Sequence, residues 1–298
     1  MNTSSVAVVV LNWNGLSDTI RCLESLKAVA YPDCEIILVD NGSTDGSVAC
    51  LRSRYPQIVM IENEENLGFA GGNNVGIRHA LKKEANYVLI LNNDTVVEPG
   101  FINALVDVAE SDPRIGIVGP KIVYYHDPTK IWSAGGRINL FTGVFANLEA
   151  HDSRAACHGV KSVDYVSGCA LLIKTKVIEE VGLLDKDYFL YLEEADWNFR
   201  ARARGYHSVV NCDTTVLHIA GASLRKAPDL IYYYFARNTL LFLKKHGKWY
   251  HYVTFVPSFT AWWGAIIMWN LARANYGRCK YVLDGIRDYL RGHYGPHS

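Results

Sequence analysis

The sequence predicts an α/β fold with a mainly parallel central sheet, a mixed region after it and a helical C-terminal appendage. Three observations predict this. Between Val6 and Leu91 short apolar runs alternate with stretches of helical periodicity, the pattern of parallel strands joined by right-handed crossovers. These runs stop abruptly at polar residues, most sharply where Tyr87–Leu91 gives way to Asn92-Asn93-Asp94. After about Glu110, short strand-like segments with Gly and polar turns replace the alternation, and helices dominate from about Asp229.

The elements follow in order. Val6–Leu11 is a β-branched buried strand, and a helix capped by Ser17 or Asp18 runs to about Ala28. Glu35–Val39 is a second strand ending at Asp40, and a helix follows Gly42–Gly46 as far as about Tyr55. Ile58–Ile61 is a third strand. Asn66–Asn74 opens a helix reaching about Glu84, and Tyr87–Leu91 is the fourth strand. Beyond a helix over Pro99–Glu110, strands are expected at Ile115–Gly119, Ile122–Tyr125, Ile131–Ile138 and Val163–Ile173. A short helix at Thr175–Val181 and a longer one at Glu193–Arg204 precede strands at Tyr206–Val210 and Thr214–Leu217.

Size and composition exclude several classes. A chain of 298 residues holds one large domain or a domain with an appendage. With 49% hydrophobic and 20% charged residues it is an ordinary folded protein, not a disordered one. A net charge of zero gives no support to nucleic-acid binding. Seven scattered cysteines without a C-x-x-C pair argue against a disulfide framework or zinc knuckle and suit a reducing cytoplasm. Val6–Leu11 is too short for a signal peptide.

The candidate sites lie mostly at strand ends, where open α/β sheets bind ligands. Asp94 there is a hard oxygen ligand suited to Mg²⁺ or Mn²⁺ held against phosphate; Asn92–Asp94 also reads as a simple turn. Asp40 can accept from a nucleobase imide or a ribose hydroxyl, or merely make the turn with Asn41-Gly42. Ser43 and Asp45 are read as turn and cap residues. The absence of G-x-G-x-x-G after the first strand disfavours a dinucleotide fold. Gly68, Gly71 and Gly72 open a helix mouth that favours phosphate, or else allow tight helix–sheet packing.

The most unusual stretch is Tyr188–Trp197, an aromatic run followed by Glu193, Glu194 and Asp196. Acids in a first helical turn fit the macrodipole alone. Aromatic surroundings would also desolvate a carboxylate and raise its pKa, as a general base near neutrality requires. His218 follows a strand at a polar end of the sheet and can join a metal there. His126, His151 and His158 sit in loops without such context.

Taken together, Val8–Gly15, Val39–Gly46, Glu65–Asn73, Leu91–Asp94, Val166–Ala170, Phe189–Asp196 and His218 resemble the family 2 inverting glycosyltransferases of GT-A nucleotide-diphospho-sugar transferase fold. The likeness is to bacterial rhamnosyltransferase-like members that build cell-surface polysaccharides, and it covers about Val6–Lys245. The resemblance implies a catalytic domain over 1–227, its nucleotide-binding half ending near 120, and a helical region over 228–298. It implies a nucleotide-diphosphate sugar donor, with dTDP-rhamnose leading, and a glycan or polyprenyl-linked acceptor. Leu11, Asn12, Asn14, Asp40, Asn66, Gly68, Asn73, Asn93, Asp94 and Gly168 would hold the donor, and Asp94 with His218 would hold the cation. Glu194 would be the catalytic base, with Glu193 and Asp196 supporting it. Two departures stand out: Asn92 occupies the first D-x-D carboxylate position, and Asn73 stands where the family often has Arg. A nucleotidyltransferase and a non-catalytic sugar-nucleotide binder are the other readings.

From Arg237 onward nine Lys/Arg face two acids, Asp284 and Asp288. Tyr252–Leu271 carries no formal charge and three tryptophans, and Lys244, Lys245, Lys248, Arg273, Arg278 and Lys280 flank it. That pattern suits an interfacial helix on an anionic leaflet, and also a helix packed on the domain or on a second subunit of a homodimer. It is long enough for a span, but Pro257, Gly264 and Asn270 lower its hydrophobicity. The expected location is cytoplasmic, peripheral at the inner face of the membrane.

Overall fold

A computed structural model of the chain describes residues 4–148, 157–219 and 228–297. The N-terminal half runs β1 (Val6–Asn12), α1 (Leu16–Leu26), β2 (Cys34–Asn41), α2 (Ser47–Arg54), β3 (Val59–Asn63), α3 (Gly68–Lys82), β4 (Tyr87–Asn92). It continues through β5 (Thr95–Val97), α4 (Phe101–Ser111), β6 (Ile115–Tyr124), β7 (Asp127–Ser133), β8 (Gly136–Asn139) and β9 (Val144–Asn147). Then come β10 (Val160–Val163), β11 (Ala170–Lys174), α5 (Thr175–Val181), a 3₁₀ turn (Lys186–Tyr188), α6 (Glu193–Ala203) and β12 (His207–His218). Three helices close the chain: α7 (Leu230–His246), α8 (Trp249–Leu271) and α9 (Tyr276–Arg291).

The main sheet has the order β10-β12-β6-β11-β4-β1-β2-β3, with β5 and β7 attached to β12 and β6. β3, β2, β1 and β4 are parallel, and β11 enters antiparallel between β4 and β6. The chain leaves β1 toward β2 and β3, then returns to β4 on the other side. The β1/β4 junction is therefore the switch point where such sheets open a ligand crevice.

Strict alternation fixes the layers. Ala7, Val9, Ile37, Val39, Val88 and Ile90 pack under α3 and α6 through Ala70, Ile77, Trp197 and Ala201. Val6, Val8, Val10, Leu38, Leu89 and Leu91 face the other way, onto α1 and α4 through Leu23, Leu26, Phe101 and Leu105. Side chains two apart share a face, so each strand feeds two cores. α7 joins the body through a third cluster, in which Leu241 and Phe242 meet Tyr165, Tyr188, Leu192 and Ala195. The boundary expected near 227 falls in 220–227, and His151 in 149–156, both outside the described residues.

Several expected boundaries shift. Ile115–Tyr124 is one strand running through Pro120, and β12 is one strand because an irregularity between Asn211 and Thr215 absorbs the polar interruption. Val163–Ile173 is split instead between β10 and β11, and Ile131–Ile138 between β7 and β8. Helix α1 begins at Leu16 with Gly15 as its N-cap, rather than behind a Ser17 or Asp18 cap. The cysteine reading also needs correction: Cys157 and Cys212 are disulfide-bonded, with Cα atoms 5.2 Å apart, and Cys22, Cys34, Cys50, Cys169 and Cys279 are free. The antiparallel pairing of β10 with β12 brings those two together, which no sequence spacing announces.

Candidate active site

The register of three neighbouring strands builds the floor of the site. Asn12 ends β1 opposite Asp40 of β2, and Leu11 stands opposite Asn92 of β4. Asn12 is fully buried, and its Nδ2 donates to Asp40 Oδ1 at 2.7 Å, Ser47 Oγ at 3.0 Å and Ser43 Oγ at 3.2 Å. Its Oδ1 accepts from Thr19 Oγ1 at 2.8 Å and the Gly15 amide at 3.2 Å, and Asn93 Nδ2 reaches both Thr19 and Asn12. Asp40 Oδ2 takes the Ser43 amide at 2.8 Å. Asn14, with φ of +49°, gives its amide to Ser43 Oγ and takes the Thr44 amide on its Oδ1. Ser43 is thus a cross-strand link rather than a helix cap, and Asp45 turns onto Ser47. Asn12, Asn14, Asp40 and Asn93 come together at the ends of β1, β2 and β4, and much of their hydrogen bonding goes to one another and to Ser43 and Thr19.

The Gly-rich helix mouth has an occupant from the protein itself. The Phe69 amide donates to the Phe189 carbonyl at 2.7 Å, and Asn66 Oδ1 takes the Gly68 amide. Gly68 has φ of +72°, and a Cβ there would lie 2.5 Å from the Phe189 oxygen. Cβ atoms at Gly72 and Gly76 would strike Leu11 and Val9. These glycines serve close packing against the sheet and against the acidic segment. Asn73 is fully buried; its Nδ2 donates to the Phe69 carbonyl, and its Oδ1 accepts no hydrogen bond from the described residues.

Asp94 and His218 form the second cluster. Asp94 directly precedes β5, which pairs antiparallel with the end of β12. His218 Nε2 lies 3.1 Å from Asp94 Oδ1, and both side chains are nearly enclosed. Trp132 packs edge-on against the ring with centroids 4.6 Å apart. Burial opposes a charged His218, yet the neighbouring Cys169 sulfur and Asp94 carboxylate raise the imidazole. Burial pushes Cys169 up as well, so it faces the ring as a thiol, and a cation held by His218 and Asp94 would take the place of the imidazole proton. Two ligands bound side by side at about 2.1 Å lie roughly 3.0 Å apart, so this pair fits a divalent cation. Among the described residues no group of three or more His, Cys, Asp or Glu surrounds a metal position. Such an ion would complete its shell from water and phosphate, as Mg²⁺ commonly does.

The acidic segment forms the third cluster. Glu193 and Glu194 open α6 behind a Leu192 held at φ of +70°. Oε2 of each is enclosed and accepts no hydrogen bond from the described residues. Burial raises Glu194 to about 7, even though nearby main-chain amides favour its charged form. Glu193 goes well above the usual carboxylate range through burial and the adjacent Glu194. Asp196 belongs elsewhere: Arg200 holds its Oδ2 and His246 its Oδ1, each at 2.8 Å, which makes it an anchor between α6 and α7. Helical spacing turns it away from Glu194, two residues earlier. Gly168 joins the second and third clusters. A Cβ there would meet the Phe69 ring at 3.1 Å and Glu194 Cβ at 3.6 Å, while the next residue, Cys169, faces His218.

Sequence reasoning missed Arg237 and Asn238, both fully buried on α7 and bonded to carbonyls of the acidic segment. The available signal was a charged residue inside the apolar Tyr232–Leu243 run. A cavity of about 1030 Å³ lies away from the strand ends; Ile138, Phe141, Arg137, Phe199, Arg202 and His251 line it beside the β8–β9 hairpin.

The chain belongs to glycosyl transferase family 2, whose model matches residues 5–182. The fold is GT-A. Among relatives, the N-acetylglucosaminyl-diphospho-decaprenol L-rhamnosyltransferase of Mycobacterium tuberculosis is 26% identical over 287 residues, 90% of each chain. The dTDP-rhamnosyl transferase RfbF of Shigella flexneri is 23% identical, covering 83% of this chain and 82% of its own. The mannosyltransferase PcManGT from Pyrobaculum calidifontis, solved with GDP-Man and Mn²⁺, superposes with a TM-score of 0.61 at 16% identity, covering 97% of this chain and 88% of its own. GalNAc-T7, solved with UDP, GalNAc and Mn²⁺, gives 0.60 at 17% identity, covering 73% of this chain and 43% of its own. Of the three readings of the sequence, the family selects the glycosyltransferase.

Proposed function

We propose that this protein is an inverting, metal-dependent glycosyltransferase that moves L-rhamnose from dTDP-rhamnose onto a polyprenyl-linked glycan acceptor in cell-surface polysaccharide synthesis. The observation that carries it is the junction at Gly168-Cys169, which sets the Glu193–Glu194 pair beside the Asp94–His218 pair. A base and a cation site so joined are what one displacement at a sugar–diphosphate bond requires.

Glu194, raised to about 7, is charged for a useful fraction of molecules near neutrality and still basic enough to take a proton. It removes the proton of an acceptor hydroxyl as that oxygen bonds to the anomeric carbon. The bond from that carbon to the diphosphate breaks, and its electron pair leaves with the nucleoside diphosphate. Attack opposite the leaving group inverts the centre, and no second carboxylate acid is needed. Asp94 and His218 would hold Mg²⁺ or Mn²⁺, which supplies charge stabilisation for the departing diphosphate. Asp40 and the turn around Asn14 receive the nucleoside, and Asn93 and Gly168 line the way to the reacting bond. Rhamnose and the lipid-linked acceptor are supported by the names of the two relatives.

The C-terminal helices bring this site to an anionic membrane surface. No helix among the described residues is long and apolar enough to cross a membrane. Along α8, however, Trp249, Val253, Trp262, Met268 and Trp269 are each more than 60% exposed, and Arg273 lies over the Trp269 ring. Tryptophan with flanking cations is the composition of an interfacial helix.

The test is transfer from a panel of nucleotide sugars to a sugar linked through diphosphate to a short-chain polyprenol, with Mn²⁺, the product's anomeric configuration being read by NMR. Transfer from dTDP-rhamnose with inversion is expected. Retention of configuration, or preference for another donor, would overturn the corresponding part of the proposal.

A further inference from the structure

The turn that delivers Glu194 is conformationally expensive. Phe189, Tyr191 and Leu192 have φ of +61°, +68° and +70°, three of the six non-glycine residues with positive φ among those described. Such backbone persists only where its surroundings over-determine it, and it gathers at functional sites. Two adjacent residues of α7 supply that determination. Asn238 Nδ2 donates to the carbonyls of Tyr188, Leu190 and Tyr191 at 3.0, 2.8 and 2.8 Å. Arg237 Nη2 donates to those of Asp187 and Tyr188 at 3.1 and 2.8 Å, and its Nη1 to that of Gly295 at 2.6 Å. Arg237 Nε holds Asn238 Oδ1 at 2.9 Å, so the two side chains act as one fork.

Three features make this more than ordinary packing. Both residues are fully buried, where polar groups are tolerated only if satisfied. The partners on the segment are main-chain carbonyls, so the fork reads the path of the backbone rather than any side chain. On the opposite side the Phe189 carbonyl takes the amide of Phe69 at the mouth of α3. The turn is therefore clamped from two elements, one of which also lines the nucleotide crevice. Behind the fork, Arg237 Nη1 reaches the Tyr233 hydroxyl, which donates to Asp288 of α9, so the C-terminal helices brace the clamp.

We propose that Arg237 and Asn238 are positioning residues for the reaction: they hold the 188–191 turn in its left-handed path and thereby aim the Glu194 carboxylate at the acceptor. This rests on the reading of Glu194 as the base. The fork touches neither donor nor acceptor, so its loss should damage the chemical step and spare donor binding.

The test uses the full chain with Asn238→Ala and, separately, Arg237→Lys, which keeps the charge but not the fork. Measured are kcat, donor KM, affinity for the nucleoside diphosphate with Mn²⁺ by calorimetry, and the pH profile of kcat/KM. In each variant kcat should fall on the order of 100-fold, the scale of misplacing a reacting group by about 1 Å. Nucleotide affinity should stay within about twofold of the wild type. The acid limb should move to lower pH as water reaches Glu194, which Glu193, Tyr191 and Tyr165 now crowd. An unchanged kcat, or one lost only in step with nucleotide affinity, overturns the proposal. Should Asn238→Ala not fold, Arg237→Lys decides by the same readouts. Glu194→Gln is assayed alongside. Full activity there removes the base itself, whereas an inactive Glu194→Gln beside two unimpaired fork variants removes only the positioning role.

Discussion

Nε2 of His218 stands 3.1 Å from Oδ1 of Asp94, although one ends the long strand β12 and the other precedes the three-residue strand β5. The antiparallel pairing of those strands makes the meeting obligatory, since His218 lies opposite Thr95. With Asn92 in place of a second carboxylate, Asp94 is the only acidic group of its turn that could meet the proposed cation. Asp94→Asn should lower metal-stimulated kcat about 100-fold or more, the scale of losing one group that stabilises transition-state charge. His218→Ala should raise the Mn²⁺ concentration needed for half-maximal rate. Rate against Mn²⁺ concentration checks both, and undiminished stimulation in Asp94→Asn would remove the cation from this place.

Glu194 should leave two signatures. As a base it works deprotonated, so kcat/KM of the wild type should climb with pH through a limb centred near 7. Glu194→Gln should cost 10²–10⁴-fold in kcat, about the range of general-base catalysis, with nucleotide binding retained. The second signature is stability. A carboxyl whose folded pKa is raised binds its proton more tightly in the native state, so its contribution is present at low pH and is lost as pH rises toward 7. Glu194→Gln should therefore raise the melting temperature more at pH 8 than at pH 5. Equal shifts at the two pH values would mean the carboxylate is not strained by burial.

How much of this was legible follows from the range of each interaction. Asp40 and Asp94 were readable because a strand's apolar run and its polar stop are neighbours in sequence. Asn12 was assigned to the nucleotide, but its place under the site depends on register: it faces Asp40 only because Val6 pairs with Cys34. The meeting of Asp94 with His218 came from family likeness, since sequence spacing says nothing of which distant strands pair. Asp196 looked like a partner of Glu194 because the two are close in sequence, while the structure gives it to Arg200 and His246. Arg237 and Asn238 escaped notice because an Arg on a helix is usually at the surface. Their position on the buried stripe with Tyr233, Tyr234 and Leu241 was the physical hint.

Asn12 offers a test of the floor beneath the nucleotide. It links Asp40, Ser43, Ser47, Thr19 and Asn93 from full burial, so Asn12→Ala strands several donors and acceptors at once. The fold should lose about 1–3 kcal/mol, the cost of leaving buried polar groups unmade. Urea unfolding measures this. Calorimetry with the nucleoside diphosphate should show weaker binding too, because Asp40 loses the group that fixes its carboxylate. Unaltered stability would show that water replaces the asparagine without loss.

The exposed face of α8 predicts where the enzyme works. A tryptophan-rich surface flanked by Lys244, Lys248 and Arg273 should bind anionic vesicles, through apolar insertion and through about 1 kcal/mol per cation near the surface. Three arms separate these terms. Neutral vesicles should pellet less of the protein than anionic ones, and added salt should release part of it by screening the cations. The double substitution Trp262→Ser with Trp269→Ser should release it at any salt, since both rings are more than half exposed and their loss leaves the core untouched. If α8 instead seats against a second copy, sedimentation will find a dimer that the same substitution dissociates, and vesicles will recover little protein of either kind. Transfer to a water-soluble acceptor should survive the substitution, because α8 contributes nothing to the Glu194 and Asp94 clusters. Only transfer to an acceptor embedded in vesicles should fall.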